Sequence, residues 1–255
     1  MNIIGIIPAR MGSSRFPGKP LEKINGIPMI GHVYFRSKLC KSLNNVYVAT
    51  CDKEIEEYIL SINGKVIMTK NSHKRASDRT AEALLKIEKE ENKKVDIVVM
   101  IQGDEPMLYP KMIDESISPF LNDPSINIVN LASELKNEKE INDPNEIKVV
   151  IDINEFALYF SRLPIPYCIK GELTPTWFKQ VCIIPFKRDY LLKFNNLKPT
   201  KLEIAESIDM MRVLENGEKV RMVLTDYETY SVDTIENLKF VENCMKNDEL
   251  IGVYK

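Results

Sequence analysis

A chain of 255 residues, 44% hydrophobic and 28% charged, is long enough to bury a full core without disulfide or metal staples. At roughly 100–200 residues per domain it is expected to form a single domain spanning 1–255, with a small subregion inside it. Lysine and arginine total 35 against 37 acids, so the net charge is −2. No general field exists for nucleic acid or an anionic membrane, and any phosphate binding must be local. The five cysteines are odd in number and form no C-x-x-C pair, which points to a reducing compartment. MNIIGII at the start has no basic flank and is too short for a signal or a span, so the expected location is cytoplasmic. Two histidines exclude an H-E-x-x-H metal site and leave almost no candidates for a Ser-His-Asp triad.

In chain order, Ile3–Ile7 reads as a buried first strand, followed by a loop rich in Gly, Ser and Arg to about Leu21. Pro28 opens a helix in which His32 reads as a packing residue. Val46–Thr50 and Lys65–Met68 are predicted strands, with an acid-led helix over Lys53–Asn63 between them. A surface helix over Arg79–Glu91 precedes Val95–Ile101, a nearly continuous β-branched run of the kind buried on both faces of a parallel sheet. Further on, Ile147–Asp152 and Phe156–Ser161 predict a hairpin, and Phe178–Pro185 a single strand. The capping box Thr200–Glu203 opens a predicted helix running to Glu215 and stopping at Gly217. Lys219–Thr225 and Thr234–Lys246 close the chain as strand and helix. The alternation predicts an α/β doubly wound fold with a mixed-sheet insertion around 130–190.

The loop after the first strand, Pro8-Ala9-Arg10-Met-Gly-Ser13-Ser14-Arg15-Phe-Pro-Gly18-Lys19-Pro20, sits where α/β sheets bind ligands. Its cations, hydroxyls and glycines suit a polyphosphate. It is not a Walker A loop, because the run to Gly18-Lys19 is one residue too long and Pro20 replaces the Ser/Thr. Gln102-Gly103-Asp104-Glu105-Pro106 follows the strongest strand, where Asp104 is placed to hold Mg²⁺ against a phosphate. Asp233, just before the last helix, reads either as an N-cap or as a second metal ligand, and its position favours the cap.

These residues, together with Gly26–Ile30, Ala157–Arg162, Leu202–Ser207, Arg212, Gly217–Lys219 and Val232–Thr234, resemble the 3-deoxy-manno-octulosonate (Kdo) cytidylyltransferase family, the CMP-Kdo synthetases. The matches run in the family's order over nearly the whole chain. The resemblance implies a nucleotide-diphospho-sugar transferase fold, Rossmann-like, with a mixed sheet, helices on both faces and a small β-rich insertion. It also implies a homodimer, with 130–190 serving dimerisation and the acceptor, and a place in lipopolysaccharide or polysaccharide biosynthesis. The implied reaction joins CMP from CTP to a small acidic acceptor, Kdo or a related 2-keto sugar acid, with Mg²⁺ and release of pyrophosphate.

Carried over by motif, Arg10, Ser13, Ser14, Arg15 and Lys19 would hold the triphosphate, while Pro8, Ala9, Ser77, Arg79 and Gln102 would complete the CTP site. Lys19, Asp104 and Asp233 would be catalytic, with both aspartates binding metal, which reverses the cap-first reading of Asp233. The acceptor would meet Arg162, Gln180, Ile184, Glu203 and Glu206. Two departures stand out. Arg75 and Ala76 replace Ser and Gly of an H-x-S-G-T-x-R pattern. In Phe178–Lys187, where the family shows Y-K-H-x-G-x-Y-x-Y-R, Gln180 and Ile184 replace an imidazole and a phenol. A buried sugar hydroxyl left without its hydrogen-bond partner costs about 1–3 kcal/mol, so the acceptor is expected to differ from standard Kdo bound in the standard way. Two other functions fit part of the pattern: a cytidylyltransferase acting on a phosphonate, and a glycosyltransferase of the A type. The latter normally carries D-x-D where this chain has Gly103-Asp104-Glu105.

Overall fold

The computed structural model describes residues 1–13, 15–169 and 175–254. Its strands are β1 (Ile3–Pro8), β2 (Lys23–Ile24), β3 (Ile27–Pro28), β4 (Asn45–Thr50), β5 (Val66–Met68), β6 (Ile97–Ile101), β7 (Val129–Glu134), β8 (Lys148–Ile151), β9 (Ala157–Ser161), β10 (Phe178–Val181), β11 (Ile183–Lys187) and β12 (Arg221–Leu224). The first sheet has the order β11-β6-β1-β4-β5, with β1, β4, β5 and β6 parallel and β11 antiparallel against β6. A second sheet has the order β12-β7-β10-β8-β9 and is mostly antiparallel.

The apolar runs explain why the first sheet lies in the middle. Ile4, Ile6, Tyr47, Ala49, Val98 and Met100 pack on one face against the helices Ala76–Glu91 and Arg188–Asn196. Their alternate neighbours Ile3, Ile7, Val46, Val48, Ile97 and Val99 pack on the other, against Met29–Lys38, Lys53–Ser61 and Pro110–Asn122. Side chains alternate across a strand, so a run that is apolar at every position must be covered on both sides. The chain leaves β1 toward β4 and β5, then crosses back to β6 on β1's other edge. The carboxyl ends of β1 and β6 therefore face each other across the point where strand order reverses, the place where such sheets bind ligands.

Three expectations change. The strand predicted over Phe178–Pro185 is two strands in two sheets, because Phe178–Val181 pairs with β7 and Ile183–Lys187 with β6, and the chain bends between them at Cys182. The helix predicted from Thr200 to Glu215 is two short helices, Lys201–Glu206 and Met210–Glu215, broken where Ser207 takes a left-handed conformation at φ +55°. The second sheet is not confined to 130–190, since β12 joins it beside β7. The helices Pro110–Asn122 and Arg188–Asn196 and strand β7 were not anticipated, although Pro110 and Pro124 punctuate the first of them.

Candidate active site

The loop after β1 is folded back on itself. The Met11 amide donates to Asp52 Oδ2 (2.7 Å), and the Met11 carbonyl accepts from Ser13 (2.9 Å) and Gly18 (3.0 Å). Gly18 sits at φ +77°, a left-handed conformation glycine adopts without Cβ strain, and begins the single 3-10 turn Lys19–Leu21. That turn delivers Lys19 inward, where its ammonium donates to Asp104 Oδ2 (2.8 Å) and Asp233 Oδ1 (3.3 Å). Arg15 reaches the same Asp233 oxygen (3.0 Å) and also Asn145 Oδ1 (2.5 Å). Burial works against the Lys19 charge, but Asp104 and Asp233 outweigh it and raise its pKa, so Lys19 is a fixed cation.

The two aspartates arrive from separate segments. Asp104 follows β6, and its carbonyl accepts the Val232 amide at 2.9 Å, which draws the 231–234 segment alongside. The helix Ile235–Cys244 is capped by Thr234, whose hydroxyl accepts from the Asn237 amide at 3.2 Å. Thr234 does the capping, so the Asp233 carboxylate is turned to Lys19 and Arg15 instead. Gly103 is tightly packed: a Cβ there would lie 3.1 Å from Ile30 Cδ1 and 3.2 Å from the Pro8 carbonyl oxygen.

Two cavities open on this cluster. One, of about 270 Å³, is lined by Pro8, Ala9, Arg10, Ser13, Arg15, Lys19, Arg79, Gln102, Asp104 and Asp233, among others. The second, of about 250 Å³, is lined by Gln102, Asp104, Glu105, Asn145, Glu146, Arg162, Lys179, Gln180, Cys182, Ile184 and Asp233, among others. Arg15, Lys74, Arg75, Ala76, Gln102, Asp104 and Asp233 border both. Their shared border is the seam across which a group would pass from one bound molecule to the other.

The remaining expected site residues divide. Arg79 is buried in the wall of the first cavity and donates to Thr69 Oγ1, while the Ser77 hydroxyl donates to Asp209 Oδ2 (2.9 Å) behind that wall. Gln180 lines the second cavity, but its amide nitrogen donates to the buried Asn130 side chain. Ile184 presents an aliphatic surface there. Arg162 also lines it, though Nε, Nη1 and Nη2 donate to the carbonyls of Glu206, Pro144 and Ser207. Glu203 lies elsewhere: it is fully buried, paired with Arg212 Nε (2.8 Å) and Nη2 (2.5 Å), and caps its own helix at the Thr200 amide (3.1 Å). Glu206 accepts from Ser161 Oγ and the Arg162 amide, both at 3.0 Å, and lines neither cavity. Both glutamates are thus corrected from acceptor ligands to braces of the cavity wall. Ser14 lies outside the described residues.

Motif reading passed over the floor of the second cavity. Lys179 is buried there between Glu146 Oε2 (3.2 Å) and the Thr229 carbonyl (3.0 Å). Burial, and then the neighbouring Asp104 carboxylate, push the Glu105 carboxyl up to about 8, and Thr229 Oγ1 donates to it at 2.9 Å. Lysine beside the departing F-K-Q motif and glutamate beside Asp104 were the available signals.

Among the described residues no group of three or more His, Cys, Asp or Glu converges as a metal cage. Two carboxylates around one cation are nonetheless what Mg²⁺ needs when substrate phosphates and water supply its other oxygens. Asp104 and Asp233, both held within 3.3 Å of a single ammonium nitrogen, fit that requirement.

A carboxylate pair at the carboxyl edge of the sheet, a cation-rich loop and a second cavity across a seam define a nucleotidyltransferase. A family model described as cytidylyltransferase matches residues 4–220. A 3-deoxy-manno-octulosonate cytidylyltransferase of Geobacter metallireducens is 42% identical over 253 residues, covering 95% of this chain and 97% of its own. That of Geobacter sulfurreducens is 39% identical, covering 96% and 100%. The solved structure of a CMP:2-keto-3-deoxy-manno-octonic acid synthetase complexed with CTP superimposes with a TM-score of 0.87 at 35% identity, covering 96% and 98% of the two chains. The chain belongs to the 3-deoxy-manno-octulosonate cytidylyltransferase family. No helix among the described residues is long and apolar enough to cross a membrane.

Proposed function

We propose that the enzyme transfers CMP from CTP to Kdo, with Mg²⁺, and releases pyrophosphate. The observation that carries this reading is the Lys19 ammonium bridging Asp104 and Asp233 at the seam between two cavities. CTP occupies the cavity lined by Arg10, Ser13, Arg15 and Lys19, with Pro8, Ala9, Arg79 and Gln102 around its nucleoside. The acceptor occupies the cavity floored by Lys179, Gln180 and Ile184. Its anomeric oxygen attacks the α-phosphorus, forming the new P–O bond as the α,β-bridging P–O bond breaks and pyrophosphate leaves in line. The proton of the attacking hydroxyl passes to the Asp233 carboxylate. Phosphoryl transfer asks mainly for positioning and charge neutralisation, which Lys19 and Arg15 supply from fixed positions. When bound at Asp104 and Asp233, Mg²⁺ adds further neutralisation of the phosphate oxygens.

The large apolar side chains Ile153, Leu158, Leu163, Tyr167 and Ile169, exposed on and beyond the β8–β9 hairpin, support a homodimer formed through this part of the chain. An odd number of cysteines with no C-x-x-C pair and the use of CTP support a cytoplasmic location. The replacements at Gln180 and Ile184 tune which tail the acceptor carries, while the seam handles the carboxylate and anomeric hydroxyl. The test is pyrophosphate release from CTP, ATP, GTP or UTP with Kdo and Mg²⁺. Release with CTP is expected; release only with a purine nucleotide, or none without a different acceptor, overturns the reading.

A further inference from the structure

The seam holds two more cations, Lys74 and Arg75. Arg75, at the foot of the helix Ala76–Glu91, borders both cavities. Its Nη1 donates to Asp209 Oδ1 at 2.6 Å, Asp209 itself lining the second cavity, and from behind its Nη2 lies 3.4 Å from the buried Glu203 Oε1. Those carboxylates are themselves held, Glu203 by Arg212 and Asp209 by the Ser77 hydroxyl. The Arg75 side chain keeps 26% of its surface exposed. A guanidinium offers five donors in a planar fork, so two can be tied down while others meet a ligand.

In a cyclised 2-keto acid, the carbon bearing the attacking hydroxyl also bears the carboxylate. The carboxylate must therefore lie at the seam, within a bond or two of the reacting oxygen. Arg15 meets Asp233 and Asn145, Lys179 meets Glu146 and Thr229, and Arg162 gives Nε, Nη1 and Nη2 to three carbonyls, whereas the two contacts of Arg75 use Nη1 and Nη2. Lys74 is exposed, and a lysine is a mobile point charge without a fork to match a carboxylate. Resting on the acceptor reading above, we propose that Arg75 receives the acceptor carboxylate and thereby positions the anomeric oxygen for attack. The break at Ser207 serves this arrangement, because it carries Asp209 off the helix Lys201–Glu206 to the side of Arg75.

The test compares Kdo with its C1 carboxamide as acceptors for the wild type, Arg75→Gln and Arg75→Lys, measuring kcat and KM for acceptor and CTP separately. Arg75→Gln is expected to raise the KM for Kdo on the order of 10-fold to 100-fold, the loss of a hydrogen-bonded charge interaction. Its KM for CTP should be unchanged, and its preference for Kdo over the carboxamide should disappear. Arg75→Lys should restore part of that preference, a rescue that a merely structural role would not show. If Arg75→Gln keeps the wild-type preference for the acid, or raises the KM for CTP in step, the assignment is overturned. Should Arg75→Gln fail to fold, Arg75→Lys decides alone: a preference equal to wild type refutes the forked contact, and a reduced one supports it. Failure of the acceptor reading is seen separately, as wild-type enzyme that releases no pyrophosphate with Kdo.

Discussion

The Val232 amide donates to the Asp104 carbonyl at 2.9 Å, and this backbone contact puts Asp233 beside Asp104 from the far end of the chain. Neither aspartate is held by its own local structure. Their shared partner, Lys19, comes from a third segment, so the cluster exists only when β1, β6 and the C-terminal segment are assembled.

Because Thr234 caps the helix Ile235–Cys244, Asp233 and Thr234 should separate in experiment. Asp104→Asn and Asp233→Asn should each lower kcat by on the order of 100-fold while the melting temperature stays close to wild type. Thr234→Ala should do the reverse, losing about 1 kcal/mol of stability with turnover largely retained. Paired turnover assays and thermal melts check this; a stability loss in Asp233→Asn with intact turnover would return Asp233 to a capping role.

Metal dependence follows from the donor set. Chelation should abolish pyrophosphate release, and Mg²⁺ should restore it. Calorimetric titration of CTP into the chelated Asp104→Asn and wild-type proteins should show similar binding, whereas added Mg²⁺ should tighten CTP only in the wild type.

Reassigning Glu203 from acceptor ligand to buried brace predicts a stability effect. Glu203→Ala leaves the buried Arg212 guanidinium unpaired and should destabilise the fold by about 3–5 kcal/mol, read as a lower denaturation midpoint. An acceptor ligand would instead raise the KM for acceptor at unchanged stability.

Acid stability should report on Glu82, which holds the segment before Arg75 through the Lys70 amide, His73 and Lys86. Burial raises its pKa, but the hydrogen bonds from Lys86, His73 and the Lys70 amide outweigh that and bring it to about 2, from 4.5. A depressed carboxylate stabilises the fold above its unfolded pKa and loses that contribution as pH falls through the folded one. Wild type should therefore lose stability relative to Glu82→Gln from about pH 4.5 downward, with the two melting curves converging near pH 2.

The pocket floor predicts an effect on acceptor choice. Gln180→His with Ile184→Tyr restores two polar groups to the second cavity and should raise kcat/KM for Kdo by about tenfold. Unchanged efficiency on Kdo and on its deoxy and amino analogues would show that these positions do not set specificity.

Local chemistry carried much of this protein on its face. Ile3–Ile7 and Val95–Ile101 are apolar at nearly every position, and such a run has few stable places other than the middle of a covered sheet. Lys19, Asp104 and Asp233 stood out because each lies in a short motif at a strand or helix end. What required the tertiary structure is what depends on distant partners. Phe178–Pro185 reads as one strand, yet pairing with β7 on one side and β6 on the other divides it at Cys182. Glu203 and Glu206 look like ligands in a motif, but Arg212, Ser161 and Arg162 claim them once the chain is packed. Arg75 reads as a misfit in a nucleotide motif until Asp209 and Glu203 fix it in place. Propensity and motif spacing act over a few residues, whereas the charge and packing that assign a side chain its role come from segments far away along the chain.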